Sequence, residues 1–220
     1  MQIVIFGATG MLGTQLVKQA LYNGHNVKAF GRNVFTADLP KNDQLELVQG
    51  ALFDQKQVYD AIIGTDAVIC SLGGDKSGSD MTRSLGIKNI IAQMQKAHAQ
   101  RIIAVGEISL LNADKDTLIM DLPDFPDKLL PIIREHLKAY QYLKASLLDW
   151  TMVCPPEIID SDPTGNFITS SDYAPIPDSN KIIAGDLALF MMSELNKNEF
   201  IKHKVGICNY NESYSPITLI

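Results

Sequence analysis

Three evenly spaced glycines connect an apolar stretch to an amphipathic one at the beginning of the chain. Gly7, Gly10 and Gly13 follow the apolar run 3–6, which predicts a buried strand, and apolar positions then recur at helical spacing over residues 11–24. A helix N-terminus exposes unpaired N–H groups and carries partial positive charge, so it attracts anions. Glycine permits a tight turn, the close approach of a pyrophosphate and the close packing of helix on strand. The stretch therefore predicts a dinucleotide-binding loop.

Strands and helices alternate over the first half of the chain. Such alternation produces parallel strands joined by right-handed crossovers, with helices on both faces of the sheet. We therefore predict an α/β fold with a doubly wound parallel sheet. The predicted strands are residues 3–6, 26–30, 45–50, 66–74 and 101–106, and the predicted helices are residues 11–24, 57–64 and 82–100.

Glycines follow four of these predicted strands, at Gly7, Gly31, Gly73 and Gly106. Ligands of doubly wound sheets bind beyond the carboxyl ends of the strands, which all lie at one edge. Glycines at four such ends indicate a ligand site at that edge more strongly than the first loop alone.

The second half of the chain is less regular. Residues 111–131 form a long predicted loop with three prolines, typical of a lid or of the border of an active site, and the turn-rich residues 160–180 are predicted to cover the site. We expect a single domain over residues 1–220 with a short C-terminal segment that covers the substrate. Helices are predicted at 132–146 and 184–195, and strands at 150–156 and 203–208.

Composition limits the classes of partner. The 220 residues carry a net charge of −6, which argues against nucleic-acid binding. No apolar run is long enough to span a membrane, and the N-terminal run does not resemble a signal peptide. The scattered Cys70, Cys154 and Cys208 and the four dispersed histidines predict no metal site. We expect a cytoplasmic monomer or homodimer that acts on a small molecule.

The end of the second strand bears on the choice of nucleotide. NAD sites usually have an acid there, which bonds the ribose 2′-hydroxyl, whereas this chain has Phe30, Gly31 and Arg32. Arg32 could pair with a 2′-phosphate through two hydrogen bonds. NADP(H) is therefore favoured over NAD(H), which stays possible, and the alternative for Arg32 is a solvated surface arginine.

Tyr140 and Lys144 lie four residues apart on the predicted helix 132–146, so they share one helical face. A lysine one turn away can lower the pKa of a tyrosine, which could then donate a proton to a carbonyl while a nicotinamide supplies hydride. The alternative is that both side chains lie on a solvated face.

The segments "GATGMLG", "GTDAVICSLGG", "RIIAVG" and "LDWTMVCPPEI" resemble the atypical short-chain dehydrogenases/reductases. The similarity is strongest to the single-domain NAD(P)H-binding group that contains flavin reductases and NmrA-like proteins, and it extends over nearly the whole chain. It implies a Rossmann fold with a nicotinamide cofactor bound along the carboxyl edge of the sheet.

The resemblance also implies the residues of the site. The cofactor is expected to contact the first loop, the end of the second strand, the segments after the third and fourth strands, and the segments after the fifth and sixth. The expected contacts are Gly7, Thr9, Gly10, Met11, Leu12, Gly13, Arg32, Leu52, Ser71, Leu72, Gly73, Gly106, Pro155, Glu157 and Ile158. The expected catalytic residues are Tyr140, Lys144 and Ser109.

Three positions depart from the pattern of that group. Glu107 stands near the usual position of the catalytic serine, with Ser109 two residues later; Cys154 replaces an arginine, and Ala51 replaces an acid. These departures leave two functions open. One is an NADPH-dependent reductase of a flavin, quinone or small carbonyl compound, and the other is a redox sensor that binds NADP(H) without turnover. A nucleotide-sugar epimerase is disfavoured, because few residues remain for a substrate domain.

Overall fold

The computed structural model describes residues 1–75, 77–176 and 179–210, and this part of the chain contains ten strands and five α-helices. No helix in it is long and apolar enough to cross a membrane. The strands are β1 (Gln2–Phe6), β2 (Asn26–Gly31), β3 (Leu45–Gln49), β4 (Ala67–Cys70), β5 (Arg101–Val105), β6 (Asp149–Cys154), β7 (Glu157–Ile159), β8 (Phe167–Ser171), β9 (Lys181–Ile183) and β10 (His203–Asn209). The helices are α1 (Met11–Tyr22), α2 (Gln55–Ile62), α3 (Thr82–Ala97), α4 (Leu130–Ala145) and α5 (Ala184–Lys197).

Eight strands form one sheet in the order β3-β2-β1-β4-β5-β6-β10-β8. The chain builds outward from β1 to β3, then returns to place β4 on the other side of β1, and all pairs except β10–β8 are parallel. The order of the strands therefore reverses at β1 and β4, which is where a doubly wound sheet binds its ligand. The predicted fold class is confirmed.

Alternation along β1 divides the core into two layers. Ile3 and Ile5 are fully buried beneath α1 and α5, whereas Val4 and Phe6 are fully buried on the face covered by α2, α3 and α4. Strands that are covered on both faces need apolar side chains in both directions, which explains why β1, β4 and β5 are almost continuous apolar runs.

The segment predicted to consist of turns contains a strand. Residues 167–171 form β8, which pairs antiparallel with β10 at the edge of the sheet, and β7 pairs with β9 in a separate two-stranded sheet. The prediction of turns over 160–180 is wrong at β8. A short strand of mixed Phe, Ile, Thr and Ser lacks a strong period, and its pairing depends on the open edge of β10. The predicted loop 111–131 likewise ends in α4, whose first turn tolerates Pro131.

A buried aspartate fixes the segment around residue 164 against the beginning of α5. Asp186 is fully buried and accepts hydrogen bonds from the main-chain N–H groups of Thr164 and Gly165, both at 2.7 Å, and from Asn209 Nδ2 at 2.6 Å. Gly185 completes the contact, since a Cβ there would lie 2.2 Å from the nitrogen of Pro163. These contacts hold the segment after β7 close to the carboxyl edge of the sheet.

A buried ion pair joins the sheet to α5 near the amino ends of β5 and β6. Arg101 Nη2 lies 2.7 Å from Glu194 Oε1, and Arg101 Nη1 donates to Thr151 Oγ1 at 2.9 Å. Glu194 also accepts from the main-chain N–H of Glu199 at 3.0 Å and of Phe200 at 3.1 Å. The Glu194 carboxylate therefore both pairs with Arg101 and holds the main chain of the turn between α5 and β10.

We predict that Glu194→Ala lowers the free energy of unfolding by about 3–5 kcal/mol, because it leaves the Arg101 guanidinium buried and unpaired. Urea denaturation measures the change. Asp60→Asn is the matched control, since it breaks the Lys56–Asp60 pair, which is exposed to solvent, and should leave the free energy of unfolding nearly unchanged. Equal losses in the two variants would contradict a structural role for the buried pair.

Candidate nucleotide-binding site

Packing requires glycine at two of the three positions in the first loop. Gly7 has φ +84°, in the left-handed region, and a Cβ there would lie 2.3 Å from the main-chain oxygen of Ser71. A Cβ at Gly13 would lie 2.0 Å from the oxygen of Gly7. The turn therefore contacts the end of β4 on one side and the first turn of α1 on the other.

Packing does not require glycine at the middle position. Gly10 has φ −80°, and a Cβ there would approach only the oxygen of Gly7, at 3.6 Å. Space is open above it, so a larger residue would fit the protein itself. A ligand that must reach the main chain is a reason for the missing side chain that packing does not supply.

The start of α1 is electrostatically suited to an anion. Gly10 is the N-cap, and among the described residues no side chain caps the helix and no acid lies in its first turn. The partial positive charge of the helix end is therefore not neutralised by the protein. Met11, Leu12 and Gly13, which the sequence predicts as cofactor contacts, form this first turn.

A cleft of about 320 Å³ runs along the carboxyl edge beside this loop. It brings together much of the predicted cofactor site from the ends of β1, β2, β3 and β4. The predicted residues that line it are Gly7, Thr9, Gly10, Arg32, Leu52, Ser71, Leu72 and Gly73. A bound nucleotide fits this arrangement, because the cleft opens on the uncapped helix end and on the bare main chain of Gly10.

Sequence reasoning did not assign several residues of the lining to the cofactor. They come from the ends of β1 and β2, from the segment after β3 and from the beginning of α3, and they are Phe6, Phe30, Gly50, Ala51, Phe53 and Thr82; Gly31, which also lines the cleft, is one of the four glycines predicted at the ligand edge. Gly50 could have been predicted from the sequence, because a glycine directly after a strand often marks a place where a ligand or another part of the main chain comes close. A Cβ there would lie 2.5 Å from the ring of Phe30.

The end of β2 presents a cation to this cleft. The side chain of Arg32 is exposed and, within the described part of the chain, forms no ion pair, while its main-chain oxygen accepts from Gln49 Nε2 at 3.0 Å. Phe30, Gly31 and Arg32 all line the cleft. The guanidinium is therefore available to an anionic group bound there.

The other predicted contacts lie further along the same edge. Gly106 follows β5 and donates its N–H to Val153 at 2.7 Å, and Pro155 follows β6 and accepts from the N–H of Ile108 at 3.0 Å. Glu157 and Ile158 belong to β7. None of these four residues is among the described residues that line the cleft. They lie at the same edge of the sheet as the cleft, but outside it.

Ser109 is buried, with 2% of its surface exposed. Its hydroxyl donates to Glu107 Oε2, and its N–H donates to the same oxygen at 2.8 Å. The hydroxyl of the predicted catalytic serine is thus engaged by the acid beside it. Nearby Cys154 is fully buried, and burial raises the pKa of its thiol to about 12, so it is not a nucleophile at neutral pH.

The structure brings Tyr140 and Lys144 together on the flank of the sheet. Lys144 Nζ lies 5.8 Å from the centroid of the Tyr140 ring, and Lys204 Nζ lies 5.3 Å from it. The ring packs edge-on against Trp150, the second residue of β6, at 5.8 Å between centroids. The described lining of the cleft includes neither residue of the predicted pair.

The environment of Tyr140 does not lower its pKa. Burial raises the pKa of the phenol, and Asp172 and Cys154 raise it further. The lowering of the pKa expected from Lys144 is therefore not found, and desolvation sets the direction of the shift. The role of Tyr140 as a proton donor stays a prediction, and this geometry does not favour it.

Comparisons with known proteins agree with the geometry. A family model described as NAD(P)H-binding matches residues 7–198. The crystal structure of SP1627 from Streptococcus pneumoniae TIGR4, named provisionally as an NADH-flavin reductase, superposes with a TM-score of 0.82 at 26% identity, covering 96% of this chain and 100% of that one.

Two curated proteins are similar to this chain in sequence. The uncharacterized protein YwnB of Bacillus subtilis (strain 168) is 27% identical over 208 residues, which cover 90% of this chain and 94% of YwnB. The photosystem II assembly factor Ycf39 of Cyanophora paradoxa is 28% identical over 157 residues, which cover 69% of this chain but only 44% of that factor.

We predict that Gly10→Val and Gly13→Val have different consequences. Gly10→Val should keep the fold and lose nucleotide binding, because its methyl groups would occupy the open space above the loop. Gly13→Val should lose the fold, because its side chain would collide with the main chain of Gly7. Circular dichroism measures folding, and a fluorescence titration with NADPH measures binding. Retained NADPH binding in a folded Gly10→Val variant would contradict the prediction.

Proposed function

Because the chain belongs to the NAD(P)H-binding family, whose model matches residues 7–198, we propose that it is an oxidoreductase. It reduces a flavin, a quinone or a small carbonyl compound with NADPH as the hydride source. The observation that carries this proposal is the cleft at the bare Gly10 and the uncapped start of α1. The similarity to SP1627, provisionally an NADH-flavin reductase, supports the same class of reaction.

Different segments at the carboxyl edge of the sheet would bind different parts of the nucleotide. The loop from Gly7 to Gly13 would hold the pyrophosphate, and Arg32 with the segment 50–53 would hold the adenosine half. Ser71, Leu72 and Gly73 continue toward the ends of β5 and β6, where Gly106, Pro155, Glu157 and Ile158 would border the nicotinamide. When bound, the reduced nicotinamide supplies a hydride.

The preference for NADPH rests on Arg32. The cleft has no acid at the end of β2 to repel a 2′-phosphate, and the guanidinium is exposed beside it. An arginine can bind a phosphate through two parallel N–H groups. The NADP form is therefore preferred over the NAD form.

We predict that Arg32→Ala weakens NADPH binding by about one to two decades, because a hydrogen bond to a charged group contributes roughly 1.5–3 kcal/mol. NADH binding should barely change. Calorimetry with both nucleotides measures the difference. Arg134→Ala is the matched control, since Arg134 is an exposed arginine on α4 outside the lining of the cleft. Equal affinity of the parent protein for NADPH and NADH would overturn the preference.

A second function, a redox sensor that binds NADP(H) without turnover, is favoured by one observation. The hydroxyl of Ser109 is engaged by Glu107, so the serine of a conventional dehydrogenase site is not available. The similarity to Ycf39, an assembly factor, is compatible with this alternative. A screen of NADPH oxidation with flavins, quinones and aldehydes separates the two, because a sensor would bind NADPH and oxidise it with none of them.

We predict that Tyr140→Phe slows carbonyl reduction by far less than the roughly 10²–10⁴-fold expected from loss of a placed acid. The reason is that the phenol is half-buried beside Trp150 and has a raised pKa. Steady-state kinetics with one carbonyl and one flavin acceptor, repeated with Lys144→Ala, measures the effect. A loss within the 10²–10⁴-fold range, confined to the carbonyl, would establish Tyr140 as the proton donor instead.

A further inference from the structure

Glu107 lies at the carboxyl edge of the sheet, next to the cleft but outside its described lining. It follows Gly106 directly after β5, and β5 is the neighbour of β4 in the sheet. The segment after β4, Ser71–Gly73, forms one end of the cleft. Adjacent strands are about 4.8 Å apart, so the next position along this edge is the end of β5. A ligand that extends beyond Gly73 along the edge therefore approaches Glu107.

The carboxyl of Glu107 has one engaged and one available oxygen. Oε2 accepts both the N–H and the hydroxyl of Ser109. Oε1 accepts no hydrogen bond from a described residue, and the side chain is only partly buried, so this oxygen is free to contact a ligand. Glu107 is otherwise partly buried and forms no ion pair with a described residue.

The surroundings of Glu107 favour the neutral carboxyl. Burial raises its pKa, and the two hydrogen bonds from Ser109 only partly oppose this. The buried Cys154 on β6 interacts electrostatically with Glu107, and Lys204 on β10, Asp172 after β8 and Tyr140 on α4 interact with Cys154 in turn. Lys204 Nζ is occupied by Leu110 O at 2.6 Å and Asn112 Oδ1 at 2.8 Å. Because Ser109 occupies Oε2, a proton on the carboxyl resides on Oε1.

We propose that Glu107 is the proton donor to the acceptor in the reduction catalysed by this protein. The proposal rests on the proposed function. The acceptor receives hydride at one atom of a C=O or C=N bond, and the π electron pair moves to the other atom. That atom takes the proton from Glu107 Oε1, the O–H bond breaks, and the carboxylate is reprotonated by water. The acceptor is therefore a compound whose reduction needs one proton besides the hydride.

The first test uses the protein without nucleotide. A carboxyl whose folded pKa is raised adds stability below its unfolded pKa of about 4.3, and this contribution is lost as the pH rises through the folded value. Glu107→Gln should therefore unfold at a higher urea concentration than the parent once the pH is above the raised pKa of Glu107, and it should lose less stability as the pH rises from about 4. Glu46→Gln, an exposed control on β3, should follow the parent. Identical pH curves for all three proteins would overturn the neutral carboxyl.

The second test measures turnover and binding. Glu107→Gln should lower kcat by about 10²–10⁴-fold, the effect of a placed acid, and leave NADPH affinity by calorimetry unchanged. The kcat of the parent should fall as Glu107 ionises, and Ser109→Ala should move this fall to higher pH, because it removes the hydroxyl hydrogen bond that stabilises the carboxylate and keeps only the one from the main-chain N–H. Glu46→Gln should keep the parental rate.

Two outcomes contradict the proposal in different ways. If Glu107→Gln turns over within twofold of the parent, only the role of Glu107 as donor is wrong. If the parent binds NADPH but reduces none of the flavins, quinones and aldehydes, the proposed function is wrong as well.

Discussion

The rest of the structure depends on a main-chain contact that excludes side chains at Gly7 and Gly13. The turn after β1 touches the end of β4 through Ser71 and the first turn of α1 through Gly13. These contacts fix the direction in which α1 leaves the sheet, and the N-terminus of α1 therefore faces the same edge as the ends of β2 and β4. A single Cβ at either glycine would separate these elements, so the position of the anion-attracting helix end depends on both.

Two buried carboxylates fix the opposite ends of α5. The pair Arg101–Glu194 fixes its C-terminal end near the beginning of β5, and Asp186 fixes its N-terminal end to the segment at Thr164. Each buried carboxylate is satisfied by several donors, which is the condition under which burying a charge is tolerated. Between these ends α5 presents apolar residues to the sheet, so it holds the segment at Thr164 in a defined place.

The parts of the fold that follow from local periodicity could be predicted, and those that depend on the relation between distant elements could not. The period of the apolar residues predicted the parallel strands and their helices, and the spacing of Gly7, Gly10 and Gly13 predicted the loop beside the cleft. The antiparallel β8 could not be predicted, because its pairing depends on the open edge of β10. The spacing of Tyr140 and Lys144 correctly indicated a shared helical face, but it carries no information on where that face lies along the sheet.

The position of β10 between β6 and β8 has a consequence for how the chain folds during its synthesis. The strands whose ends line the cleft, β1 to β4, and their neighbours β5 and β6 can pair as soon as residue 154 has emerged. In the sheet β8 pairs with β10, which lies more than thirty residues later in the chain. The strand β8 therefore cannot pair until β10 has been synthesised. Contacts between distant parts of a chain form slowly because loop closure is entropically costly. A nascent chain can therefore complete the loop from Gly7 to Gly13 before β8 is in place.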